Sequence, residues 1–483
     1  MQPTTGPTTR VFRYGIEHEC ALLHTDGSFA DYTDTAFDEL QVVIDALPED
    51  PDDYPDLRIG DQGIKRKRWY VEGYERFDTD GRLVRCDPKG IEIRTRIHDS
   101  VDGAVDAIRA DVATLDGALA ASQLRSTVIG FNPLRSEYVI EPPLNEWERR
   151  HRLDSPEERT AHLHMSTYGP DLNLSCADLD PAAVVDLGRK LTHYSPWLVP
   201  LSFSSPFRDG APWGGLSART AIRTGLRPAV LVFLGEDDEQ VEADPSLTQV
   251  ARIPAEVGRI EFKAFDACPD PGLYGELLSL LTGLVLDETL PGRRTTPDAA
   301  LHQHVAVAGL GDDEVHAGAG ALLDAAGAAL TGRADDLARL ERLRQRWARR
   351  ESPATAMLAR YEAGEPVAGL RRRAPPPPDP RPPPPPPRVA RSACASRPPR
   401  PRESPVLDAR VARFACASRA RSEATYGLAS RMRLNGVSAA RRIRVNPASR
   451  RISASRASPA CAPSAVRGSS VIEWATQMTA DAP

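Results

Sequence analysis

Two periodicities take turns along residues 1–370. Alternating apolar and polar positions predict strands at 11–22, 89–97, 126–131, 161–167, 229–234 and 259–265. Most of these are rich in β-branched or aromatic residues and end at Gly, Pro or Asp. Apolar residues three and four apart predict helices between them. Val101, Val105, Ile108, Val112, Leu115 and Leu119 form one stripe. Asp180-Pro181 opens another helix, in which Val184, Leu187 and Leu191 recur. Ser155 and Glu158 fit a capping box. The segment 272–290 is apolar all round, as a buried helix would be, and 319–350 predicts one or two exposed amphipathic helices. Clean strand–helix–strand units are few, so the predicted class is α+β with an antiparallel sheet.

The pattern stops after residue 370. Polyproline tracts at 375–378 and 382–387 favour extended polyproline II, and Ala, Ser and Arg follow with little apolar periodicity. Residues 371–483 are therefore expected to be a disordered tail behind a folded domain of residues 1–370. Charge divides at the same place. The tail has 22 Arg, no Lys and six acids, a net +16; the first 370 residues carry 39 basic and 61 acidic side chains, a net −22. The whole-chain value of −6 describes neither part. Such a tail could dock aromatic grooves, attract nucleic acid or acidic surfaces, or be an out-of-frame product of GC-rich coding.

Several classes fall away. No apolar run reaches the ~20 residues of a membrane helix, and the first 15 residues predict no secretory leader. Seven dispersed Cys without a C-x-x-C pair argue against a disulfide framework or zinc finger, which points to a reduced cytoplasmic protein. There is no H-E-x-x-H, G-x-S-x-G or P-loop, and the Gly-rich 309–320 lacks a dinucleotide fingerprint. The cluster 65–70, Lys-Arg-Lys-Arg-Trp-Tyr, sits in an acidic domain, which suits a small anion or a solvated turn better than nucleic acid.

Chemistry gathers on short strands. In Tyr14-Gly15-Ile16-Glu17-His18-Glu19, the carboxylates Glu17 and Glu19 share a strand face. Glu92 and Arg94 share one between Ile91 and Ile93, and Arg259, Glu261 and Lys263 share one opposite Ile260 and Phe262. Three such strands suggest one sheet face lined by Glu and cations, where Mg2+ would relieve carboxylate repulsion. Charges paired across a surface sheet are the plainer alternative. His162 and His164 would share a fourth strand face, a weak metal signal. The loop Ser202–Gly210 offers hydroxyls and Arg208 to an anion, or is an ordinary turn. Cys20, beside Glu19, reads as a small strand filler rather than a nucleophile.

These segments resemble the glutamate–cysteine ligase family, in the bacterial carboxylate–amine ligase branch related to glutamine synthetase. Glu17 and Glu19 match its G-I-E-x-E strand, Gly90 to Thr95 its E-hydrophobic-x-T strand and Ala161 to His164 its H-x-H strand. Ser205 to Gly210 match its S-P-F-x-x-G loop, and Arg259 to Asp266 its E-x-R-x-x-D strand. The resemblance implies a curved, funnel-like antiparallel sheet with helices outside. It also implies ATP-dependent joining of the γ-carboxylate of glutamate to the amine of cysteine or another amine, a step of glutathione biosynthesis. Metal ligands would be Glu17, Glu19, Glu92, His162 and Glu261, with Asp87 and His164 weaker. Arg94, Arg259 and Lys263 would act on phosphate or carboxylate, and Ser205 and Arg208 on ATP. Lys263 stands where the family usually has Arg, trading a bidentate fork for a point charge. ATP and Mg2+ are the expected cofactors and small molecules the expected partners, without membrane or nucleic acid; a homo-oligomer stays open. A non-catalytic binder acting through its tail is the rival reading.

Overall fold

A computed structural model of the chain describes residues 10–50, 67–153, 156–223, 226–241, 244 and 246–371. Its spine is strand β1, Phe12–His24, which buries Phe12, Tyr14, Ile16, His18 and Cys20 on one face. The residues between them, including Glu17 and Glu19, line a cavity on the other face. The further strands are β2 Phe29–Ala30, β3 Trp69–Phe77, β4 Leu83–Arg94, β5 Leu124–Thr127, β6 Pro170–Cys176, β7 Phe207–Arg208, β8 Ala211–Pro212, β9 Val230–Leu234, β10 Thr248–Val250 and β11 Arg259–Phe262. Nine of them form one sheet in the order β10-β9-β11-β6-β1-β4-β3, with β2 and β5 also paired to β1; β7 and β8 make a separate hairpin. Every pairing is antiparallel except β9–β10.

The sheet is curved. Tyr70 on edge strand β3 and Gln249 on edge strand β10 line the same cavity of about 370 Å3. Laid flat, six strand spacings would separate those edges by about 29 Å, so the strands must curl around the space.

The helices are α1 Phe37–Ala46, α2 Val101–Leu119, α3 Glu146–His151, α4 Pro156–Arg159, α5 Ala161–His164, α6 Pro181–Leu198, α7 Ala218–Arg223, α8 Pro271–Leu286, α9 Ala299–Ala308, α10 Asp313–Ala329, α11 Ala334–Ala348 and α12 Pro353–Glu362. Helices α2, α6 and α8 cover the apolar face of the sheet. Ser100 caps α2 at the Gly103 amide, and Asp180 caps α6 at the Ala183 amide, as the predicted stripes require. In α8, Leu273, Leu277, Leu280, Leu281 and Leu284 are fully enclosed, each worth about 2–5 kcal/mol relative to Ala. Gly283 lets α10 come close: a Cβ there would lie 2.7 Å from that of Ala326. The predicted exposed helices at 319–350 instead form a second layer, burying Leu322, Leu323, Leu340 and Leu343 towards α8. No described helix is long and apolar enough to cross a membrane.

The α+β class and antiparallel sheet agree with the sequence; several details do not. The predicted strand 161–167 is helix α5 followed by a turn, with Thr167 at its end bridging Phe131. Strand β5 stops at Thr127, and strands β3 and β6 had no counterpart among the predicted ones. Of the basic cluster, Lys65 and Arg66 lie outside the described residues, and Lys67 Nζ donates to the carbonyls of Ile44 (2.9 Å), Asp45 (3.1 Å) and Leu47 (2.6 Å), closing the end of α1. Arg68 pairs with Asp111 (3.3 Å) and Asp50 (3.2 Å). Ser155 and the tail from residue 372 lie outside the described residues. Arg371 remains docked, its guanidinium donating to the Asp26 carbonyl at 2.7 Å.

Candidate active site

Strand register assembles the site. Glu19 on β1 stands opposite Glu92 on β4, which stands opposite Tyr70 on β3. One step along, Glu17 lies between Arg94 and Asp171 of β6. In the next row Asn173 of β6 faces both Gly15 and Glu261 of β11. Opposed residues share a sheet face, so strands distant in sequence present Glu17, Glu19, Glu92, Arg94, Arg259, Glu261 and Lys263 to one cavity.

Two of the acids are internally neutralised. Arg259 reaches Glu17 at 3.2 Å, Glu261 at 3.1 Å and Glu256 at 3.3 Å. Lys263 Nζ bonds both Asp171 and Glu261, with Glu157 at 3.9 Å. Burial pushes the Glu261 carboxyl above its ordinary range, aided by Asp171 and Glu17 and opposed by Lys263 and Arg259. Burial would also raise Glu157, but Lys263 and Arg227 hold it down at about 2.

A different group gathers farther along β1. Single ligand atoms of Glu19, Glu72 and His164 all lie within 4.8 Å of one another. His164 Nδ1 is 3.3 Å from Glu72 Oε1, while Glu19 accepts from Lys89 Nζ (2.5 Å) and the Gly169 amide (2.6 Å). Burial first, then Lys89, lowers the His164 pKa and favours the neutral imidazole that can ligate. Glu72 is aimed by a register shift between Glu72 and Gly73. Gly73 is required there, for a Cβ would lie 2.1 Å from the Asp87 carbonyl oxygen. Two carboxylates and an imidazole suit a divalent cation such as Mg2+ or Mn2+.

The helical turn at α5 separates the histidine pair. Residues two apart on a helix point about 200° away from each other; His164 lines the cavity and His162 does not. Ser205 and Arg208, expected at ATP, are also absent from its lining. Ser205 is buried, donating to Asp266 Oδ2 at 2.6 Å, and Asp266 also accepts from the Ser204 amide (3.0 Å) and Ser217 (2.8 Å). This carboxylate ties the Ser-Pro-Phe loop to the end of β11. Arg208 lies on the β7–β8 hairpin, 3.6 Å from Asp209. Asp87 belongs to a pair with Arg85 (2.7 Å) and the Tyr138 hydroxyl. The Cys20 thiol faces the core, its pKa raised by burial, which agrees with a packing role.

Sequence reasoning passed over Glu72, Lys89, Asp171, Arg152 and the arginines Arg219, Arg223 and Arg227, all but Lys89 lining the cavity. The last three recur every four residues, a spacing that could have marked them.

A carboxylate- and guanidinium-lined cavity on an antiparallel sheet suits chemistry on anionic substrates. The chain belongs to glutamate-cysteine ligase family 2, whose model matches residues 13–350, and so to a family of ligases. No curated protein matches it. Among solved structures it is similar to the glutamate–cysteine ligase of Francisella tularensis in complex with AMP: 12% identity over 74% of this chain and 86% of that one, TM-score 0.44. A bifunctional glutathione synthetase from Pasteurella multocida gives 11% identity over 74% of this chain and 50% of that one, TM-score 0.44. Apo GmaS gives 18% over 70% and 69%, TM-score 0.33.

Proposed function

We propose that this ligase joins the γ-carboxylate of glutamate to the amine of cysteine, with ATP converted to ADP and phosphate. The observation behind this reading is the register that sets Glu17, Glu19, Glu92 and Glu261 with Arg94, Arg259 and Lys263 on one cavity wall. A carboxylate is a poor electrophile. Its oxygen therefore attacks the γ-phosphorus of ATP, ADP leaves, and the acyl phosphate carries a good leaving group. The amine nitrogen then attacks the acyl carbon, phosphate departs, and the nitrogen loses a proton to give the amide. No protein nucleophile is needed, in keeping with the buried Cys20.

Glu19, Glu72 and His164 would hold Mg2+, which supplies positive charge to phosphate oxygens. Arg259 and Lys263 hold Glu17, Glu261 and Asp171 in place, while Arg94, stacked 5.3 Å over Tyr70, faces the substrate space. On this reading the protein works in the cytoplasm on small molecules, at the γ-glutamyl step of glutathione biosynthesis, and the chemistry belongs to residues 1–370. The test is ADP release with Mg2+, ATP and glutamate, adding amino acids singly. Cysteine-dependent turnover is expected. Faster turnover with another amine would reassign the acceptor, and no turnover with any amine would sink the proposal.

A further inference from the structure

Among the described residues, buried Lys and Arg side chains are, with two exceptions, matched by acids. Arg76 has Glu148 at 2.7 Å, Lys190 has Asp287 at 2.8 Å, and Arg339 has Asp336 at 3.1 Å. Arg219 and Arg223, one turn apart on α7, are only 2% and 9% exposed. Among the described residues neither has a carboxylate oxygen within 4 Å, and Asp266, Glu19, Asp171 and Glu157 act on them from farther away.

Their bonds go to main-chain oxygens. Arg219 donates to the carbonyls of Ala264 (3.1 Å) and Lys263 (3.0 Å), and its buried Nε has no partner. Arg223 gives one bond, to the Lys263 carbonyl at 3.2 Å. Just beyond, Arg227 meets Glu157 at 3.0 Å yet leaves its buried Nε and Nη1 unpartnered. A guanidinium has five N–H donors, so most of the pair's capacity is unspent at the cavity wall. Burying an uncompensated charge costs several kcal/mol. Carbonyls aim the two forks without neutralising them, and the geometry asks for an anion to complete it.

We propose that Arg219 and Arg223 form an anion subsite of the cavity, taking a carboxylate or phosphoryl group of a substrate. The identity of that substrate rests on the ligase reading; the subsite itself does not, because its test needs no turnover.

The test is binding to the full-length protein by calorimetry, with thermal unfolding in parallel. Tripolyphosphate probes the phosphoryl source and glutarate the carboxylate source. The wild type should bind at least one of them. Arg223→Gln should weaken that probe by at least about tenfold. It should also melt no lower than wild type without ligand, because it removes an uncompensated buried charge. Arg223→Lys, which keeps the charge but loses the fork, should fall between the two. Loss confined to one probe assigns the source. The subsite is overturned if wild type binds neither anion, or if Arg223→Gln binds both as wild type does. Should the variant unfold, Arg219→Gln, the other member of the subsite, provides the same comparison. Anion binding retained without any ADP release would sink the ligase reading and leave the subsite standing.

Discussion

Two stretches of one cavity wall use the same residue types in opposite ways. Around Glu17 and Glu261, acids and bases close on each other: Arg259 touches three carboxylates, and Lys263 bridges Asp171 and Glu261. At Arg219 and Arg223 two cations stand together with no carboxylate oxygen within 4 Å among the described residues, and Glu19, Glu72 and His164 converge with one Lys89 behind them. The first arrangement spends its charge on holding the sheet. The second keeps its charge for something that arrives, and ligand chemistry should therefore be sought there rather than wherever carboxylates are most numerous.

The contrast breaks most visibly through metal dependence. Glu72→Gln should raise the Mg2+ concentration for half-maximal ADP release by about 10–100-fold. A metal titration with unchanged midpoint would move the metal elsewhere. Glu17→Gln should act differently. It removes one of the three carboxylate partners of Arg259 and should lower unfolding free energy by about 1–3 kcal/mol in urea, with the Mg2+ midpoint within about twofold of wild type.

Acid provides a gentler probe of the paired type. Burial alone would raise Glu148, but Arg76 and the amides of Asn145 and Phe77 hold it at about 2. A depressed carboxylate contributes stability that is full above its unfolded pKa of ~4.5 and is lost as pH falls towards 2. Melting temperature measured from pH 6 to 3 should therefore drop below about pH 4.5 in the wild type. Glu148→Gln should flatten that slope while lowering stability at pH 6. The smallest effect is expected at the domain's end: truncation after Arg371 should leave melting within about 1 °C and turnover within about twofold. A larger loss would place part of the catalytic unit beyond that boundary.

Strand patterns were readable wherever alternation was strong, as in β1, β4 and β11. Strand β6 was missed because Pro170, Asp171 and Asn173 dilute its short Leu172–Leu174 signal, although those polar residues line the site. The histidine pair misled for the opposite reason. Two-residue spacing suits a strand face, yet residues 161–164 form the single helical turn α5. Glu72 could not be picked out, since its aim depends on a bulge at Lys89 of β4, between Pro88 opposite Gly73 and Gly90 opposite Glu72. The Ser-Pro-Phe loop was conspicuous as a motif, but its buried hydroxyl serves Asp266, a contact only the tertiary fold reveals.

Lys89 reaches Glu19 from the interior, and its ammonium is also held by the carbonyls of His164 (3.1 Å) and Thr167 (2.9 Å). The protein thus carries a resident counter-charge behind its most metal-ready acid. If the proposed site takes Mg2+, folding need not wait for the ion, and a chelator would silence the molecule without unmaking it, leaving a protein that can be reloaded.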